Sequence, residues 1–222
     1  TFPEDYFLVQ EKFISHVIGC IEKPAYNLIK NCINSKAKMD KIITEIILPT
    51  IPQTQKLFDD GKIGKSEQQL MNGIISNSIQ IVTHHSNHSE STKNVIILSA
   101  DSGSLLFSEA AGAIFRSQNW NVFSIGDMST SIDVLFDLEL RKLLSKTWKS
   151  KKGLMIILVF SQTEEGLKFI SDSFYSVKEK SENNLFIILS GKTGKKVKIK
   201  SDLSTSKLED IIQWSNTKYE NL

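Results

Sequence analysis

Two hydrophobic rhythms divide the chain. Between residues 5 and 82, apolar side chains return every three or four positions: Phe13, Ile14, Val17, Ile18 and Ile21, then Leu28, Ile29, Cys32 and Ile33, then Ile42, Ile43, Ile46 and Ile47. That spacing places them on one face of a helix. It predicts four helices. The first reaches Ile21, and the second is opened by Pro24, whose fixed φ and missing N–H suit a first helical turn. The third runs from Lys38 to Phe58 with Pro49 as a kink or restart, and the fourth from about Lys65 to Val82. Asp59-Asp60-Gly61-Lys62 ends the third helix, with Gly61 suited to a left-handed cap. Short connections between such helices favour an antiparallel four-helix bundle.

Residues 83–93 are polar and aperiodic, which marks a linker. Beyond them the pattern changes. Val95-Ile96-Ile97-Leu98 is a continuous apolar run, as expected of a strand buried on both faces of a parallel sheet. Strands at 121–125, 154–160 and 185–189 alternate with helices at 104–118, 130–147, 163–180 and 204–217, and 196–199 reads as an edge strand. The predicted class is therefore α followed by α/β: a helical bundle over 1–82, a linker over 83–93, and a doubly wound, mostly parallel, Rossmann-like or flavodoxin-like domain over 94–222. Ligands of such sheets sit outside the carboxyl ends of the strands. Here those ends, Ser99–Gly103, Gly126–Thr130, Ser161–Thr163 and Ser190–Thr193, are rich in small and hydroxyl residues.

Composition narrows the partners. A net charge of +2 over 222 residues supplies no strong attraction to nucleic acid or anionic membranes. The Lys-rich stretches 149–152 and 192–200 lack the interleaved aromatics that stack on bases. Two cysteines, Cys20 and Cys32, make no disulfide framework, no apolar run approaches ~20 residues, and no leader is visible, so a cytoplasmic protein is expected. The chain opens at Thr1, so a fused output domain upstream is compatible with it.

Several chemical motifs fail on context. His84-His85-x-x-His88 lies in a Ser-rich linker without Cys or carboxylate partners at metal-site spacing. Gly191-Lys192-Thr193-Gly194-Lys195 follows a late strand, whereas a phosphate loop follows the first. Ser161 stands where a receiver domain would carry its third-strand Asp. Asp101, Glu109 and Asp127 are scattered carboxylates near the ligand edge, and no Ser-His-Asp or Cys-His arrangement forms, so no catalytic residue is expected. Phe58, Phe107, Trp120 and Trp148 read as core aromatics or as the lining of a flat-ligand pocket.

Two stretches carry a family resemblance. Leu57-Phe58-Asp59-Asp60-Gly61 through Glu67-Gln68-Gln69, and Phe115 through Trp120-Asn121-Val122 into Ile125-Gly126-Asp127, resemble the cobalamin-binding modules of methyltransferases and of light-sensing transcription regulators. The resemblance implies a helical cap over a Rossmann-like domain, and a tetrapyrrole site drawn from Phe58, Asp59, Gln68, Gln69, Ser102, Ser104, Gly126, Ser161, Ser190 and Gly191. Departures accompany it. Counted back from helix 104–118 without gaps, the family's Asp-x-His-x-x-Gly falls on Ser102 through Phe107, so its cobalt-ligating His becomes Ser104. The family's cap Trp becomes Phe58, its Glu-His pair Gln68-Gln69, and its Gly-Gly pair Ser190-Gly191. No His lies between 89 and 222. The expectation is a sensory or regulatory module, not an enzyme, which senses cobalamin, another tetrapyrrole or light without a lower His ligand and signals to a regulatory protein partner or fused output domain. The alternatives are a ligand-free copy acting by protein contact, and a corrinoid carrier of a methyltransferase.

Overall fold

A computed structural model of the chain describes residues 5–86, 91–130, 136–178, 183–191 and 199–222. They fall into two compact units, Thr1–His88 with Arg116–Gln118, and Ser89–Phe115 with Asn119–Leu222.

The first unit is helical: α1 Tyr6–Ile18, α2 Glu22–Asn34, α3 Met39–Lys41, a π-helical segment Ile42–Ile47, α4 Thr50–Asp59 and α5 Lys65–His84. The predicted third helix is thus interrupted, and Pro49 is the cause. It has no N–H to give to the carbonyl four residues back. The ladder widens instead, with Leu48 N donating to Ile43 O at 2.8 Å, and the Thr50 hydroxyl caps Ile46 O at 3.2 Å. Ile42, Ile43, Ile46 and Ile47 are all buried across this segment. α4 ends in a Schellman turn: Lys62 N reaches Leu57 O, Gly61 N reaches Phe58 O, each at 2.9 Å, and Gly61 takes φ +67. α5 runs through His84, two residues into the stretch read as linker. Its polar end folds back onto its own carbonyls, with Thr83 Oγ1 donating to Ile79 O and Ser86 Oγ to Val82 O. Phe13, Val17, Ile29, Met71, Ile74, Ile75, Ile79 and Val82 complete the bundle core.

The second unit is a five-stranded, all-parallel sheet in the order β2-β1-β3-β4-β5. Its strands are β1 Lys93–Ser99, β2 Asn121–Asp127, β3 Leu154–Ser161, β4 Leu185–Gly191 and β5 Leu203–Ser204, alternating with α6 Leu105–Ser117, α7 Phe136–Thr147, α8 Glu164–Lys178 and α9 Leu208–Glu220. The apolar runs are buried on both faces. Along β1, Val95 and Ile97 pack with Phe115, Trp120 and Ile211, while Ile96 and Leu98 pack on the opposite face with Leu140, Ile170 and Phe174. The edge strand expected at 196–199 lies, but for Ile199, outside the described residues, and the strand that borders β4 there is the two-residue β5. Asp202 sets that position: its carboxylate accepts Ile187 N at 2.8 Å and pairs with Lys178 at 3.1 Å, which pins the chain beside β4. No helix among the described residues is long and apolar enough to cross a membrane.

Candidate functional site

The strand order fixes where a ligand would sit. β2 lies on one side of β1 and β3 on the other, so successive connections leave in opposite directions and the switch point falls between the carboxyl ends of β1 and β3. One side chain spans it. Asp101, just beyond β1, accepts on Oδ2 the Ser161 hydroxyl at 2.8 Å and the Gln162 N–H at 2.6 Å, both from the end of β3. Its Oδ1 accepts the Ser104 hydroxyl at 2.9 Å. Backbone supports this placement, since Ala100 N donates to Phe160 O at 2.8 Å and the Ser99 hydroxyl donates to Asp101 O. Ser161 is held from the far side as well. Its Oγ lies 3.0 Å from Thr163 O and accepts Thr163 N at 3.1 Å, which closes a turn into α8.

Small residues let these loops converge. A Cβ on Gly191 would lie 1.8 Å from Ser161 O, so β4 reaches this register beside β3 only with glycine there. A Cβ on Gly166 would meet Ser161 Oγ at 2.9 Å and the Ala100 Cβ at 3.0 Å. Gly126 takes φ +85 where β2 slips register against β1 between Ile97 and Leu98, a bulge that turns the end of β2. Ser104, Ser161 and Ser190 are buried, and Ser102 and Gly103 are exposed. The structure thus brings Ser104, Ser161 and Gly191 together around Asp101, which the sequence reading left among scattered carboxylates. Ser102, assigned the acid position of the resemblance, is exposed and outside this set; the carboxylate that spans the switch point is Asp101. A carboxylate directly after the first strand was the available signal.

Three of the four helical-unit candidates, Phe58, Asp59 and Gln68, meet at the α4–α5 turn. Gln68 is 4% exposed, and its amide is used at both ends, donating to Gln55 Oε1 and accepting Lys65 Nζ, each at 3.0 Å. Gln55 in turn donates to Asp59 Oδ1 at 2.8 Å, and Lys65 Nζ sits 5.2 Å from the centre of the half-buried Phe58 ring. Gln69 is exposed and outside this relay. Trp120 and Trp148 are core, at 0% and 3% exposure, with indole N–H groups given to Asn216 Oδ1 and Lys152 O. His85 Nδ1 lies 2.8 Å from Ile81 O on its own helix, while His88 and the 192–195 loop lie outside the described residues. Among the described residues no group of three His, Cys, Asp or Glu could hold a metal ion.

No protein-family profile and no curated protein matches the chain. Among solved structures, the monomethylamine corrinoid protein of Methanosarcina barkeri superimposes with a TM-score of 0.72 at 12% identity, over 97% of this chain and 99% of that one. The methanol:cobalamin methyltransferase complex MtaBC of Methanosarcina barkeri is also similar, with a TM-score of 0.43 at 12% identity, over 100% of this chain and 82% of that one. The first likeness establishes the fold. This chain shares with that protein a helical unit followed by a doubly wound parallel α/β unit.

Proposed function

We propose that the chain is a carrier-type corrinoid module: it holds a corrinoid against the carboxyl edge of its α/β unit and presents it to a protein partner, with no histidine of that unit on the metal. The carrying observation is the switch point, where Gly103, Ser102 and Gln162 are exposed beside an Asp101 held by three hydrogen bonds. The donor set does not fit an axial nitrogen ligand, because 89–222 contains no His. A bound corrinoid would supply alkyl-transfer chemistry at its metal; the residues named here bind and orient. The fold likeness to a monomethylamine corrinoid protein favours carriage over the sensory, photoreceptor or transcription-regulating role that the sequence resemblance implies. All of these roles require the same binding step.

One observation favours the ligand-free, partner-binding alternative. Asp101 already takes up the donors at the switch point, and among the described residues no buried side-chain nitrogen or oxygen lacks a partner. Incubation with hydroxo-, methyl- and adenosylcobalamin, haem and a bilin, followed by desalting, separates the two. A cobalamin band retained near one equivalent supports the carrier. Colourless protein in every arm overturns it in favour of the partner-binding copy.

A further inference from the structure

The two flanks of α7 are used differently. On the side facing α8, Arg141 donates to Ser176 O at 3.4 Å and Asp137 accepts the Ser176 hydroxyl at 2.8 Å. The other flank looks out past β2, the last strand on that side of the sheet. There a cavity of about 770 Å³ opens between α7 and the end of β2. Its inner wall is core, since Phe136 and Leu140 are buried. Ile125, Met128 and Leu143 form an outer floor and are only half-buried. The cavity follows α7 from Phe136 to Lys146, a rise of about 15 Å. Small-molecule sites have this size, and they combine an apolar floor with a few convergent polar groups.

One face of the helix supplies those polar groups. Glu139, Lys142 and Lys146 follow at helical spacing, so their side chains stand along the same rim. Among the described residues neither lysine ammonium has a hydrogen-bond or ion-pair partner, and no salt bridge joins Glu139 to either. The rim thus sets two cations against one carboxylate. It complements a single negative charge, whereas Glu139 repels a dianion more strongly. A small hydrated anion would leave the floor wet. An apolar body ending in one carboxylate matches both floor and rim.

We propose that the cavity between α7 and β2 is a second small-molecule site, for a medium-chain monocarboxylate. The chain lies on Ile125, Met128 and Leu143, and Lys142 and Lys146 receive the carboxylate. This site is distinct from the β1–β3 switch point. It lies beyond β1 on the β2 side, and it descends along α7 as that helix returns toward the amino ends of the strands. It does not depend on the corrinoid reading.

Methionine methyl groups report on the site directly. Of the four methionines, Met39, Met71, Met128 and Met155, only Met128 lines the cavity, while Met71 and Met155 are fully buried elsewhere. The full chain, with isotope-labelled methionine methyls, is titrated by NMR with decanoate, decanol and decyltrimethylammonium below their micelle thresholds. Met128→Leu assigns the signal. Decanoate should shift Met128 saturably and leave Met71 and Met155 in place. Decanol should bind about 3–10-fold more weakly and the ammonium more weakly still, a preference that shrinks at high salt. Lys142→Gln/Lys146→Gln, both exposed positions, should bring decanoate down to the decanol value, and Glu139→Gln should tighten it about 2-fold. Tryptophan-fluorescence melts confirm that each variant is folded. A Met128 signal that decanoate does not move overturns the proposal. So does equal binding of decanoate and decanol, or decanoate binding undiminished in the double lysine variant.

Discussion

Replacing Asp101 by Ala removes three hydrogen bonds at once, but their losses are unequal. Ser161 keeps a partner, because its Oγ is already 3.0 Å from Thr163 O. Gln162 is exposed, so water replaces the carboxylate at its N–H and only part of a charge-assisted bond is lost, about 1 kcal/mol. Ser104 fares worst: 2% exposed, it loses the acceptor of its hydroxyl, which costs about 1–3 kcal/mol. The sum is about 3 kcal/mol. Asp101→Asn is the discriminating control. Its amide oxygen can take the Oδ2 position and still accept Ser161 Oγ and Gln162 N, while its NH2 donates to the Ser104 hydroxyl. Only charge assistance is lost, about 1 kcal/mol. All three tryptophans, Trp120, Trp148 and Trp214, belong to the α/β unit, so urea unfolding followed by their fluorescence reports that unit alone. The expected result is a lowered midpoint at unchanged m-value, with Tm falling ~6–12 °C for Ala and ~2–4 °C for Asn. A loss below about 1 kcal/mol for Ala, or equal losses for Ala and Asn, would refute the bracing role.

Two glycines should separate steric from conformational cost. Gly61→Ala meets no atom within 4 Å and pays only for φ +67, about 1 kcal/mol by helical-unit circular dichroism, whereas Gly191→Ala drives a Cβ to 1.8 Å from Ser161 O and should cost about 3 kcal/mol or more by tryptophan fluorescence. Burial raises the Cys32 thiol from 9.0 to about 11, so the fold prefers the neutral form. The stability this represents is intact below pH 9 and falls by about 2–3 kcal/mol as pH rises through 11, a dependence that Cys32→Ala should abolish. At pH 8 a disulfide reagent should modify the half-buried Cys20 at least ~100-fold faster than Cys32, which is 3% exposed. Phe58→Ala should cost about 1–2 kcal/mol in far-UV melts, since the ring is half-buried; a loss of the ~3–5 kcal/mol expected of a fully buried ring would contradict that placement.

Legibility followed the reach of the forces involved. β1 and β3 were visible because a strand buried on both faces must be apolar without interruption, and 95–98 and 154–160 are. α5 was visible because Met71, Ile74, Ile75, Ile79 and Val82 keep helical period over 12 residues. The π segment was not, since Ile42, Ile43, Ile46 and Ile47 fit an α-helix equally well and only the hydrogen-bond ladder, widened by Pro49, tells them apart. β5 was not read because a two-residue edge strand has no period, and its position depends on Asp202 bonding across to Ile187 N.

The site was harder to read because its defining contact joins residues 60 apart, Asp101 and Ser161. Counting back from α6 assumes a connection of fixed length, and a turn absorbs one residue at little cost. Here the 3-10 turn Ser102–Ser104 intervenes before Leu105, and the carboxylate that bridges β1 and β3 stands at 101, just ahead of it. The two neighbouring positions then differ in what they cost the fold. Asp101 ties β1 to β3 and keeps a buried hydroxyl satisfied, so stability alone is enough to demand it. Residue 103 is exposed and contributes no side chain, so the fold is indifferent to what occupies it. A carboxylate at the switch point therefore reports the architecture, because its three hydrogen bonds are needed by the fold whether or not a ligand sits beside them.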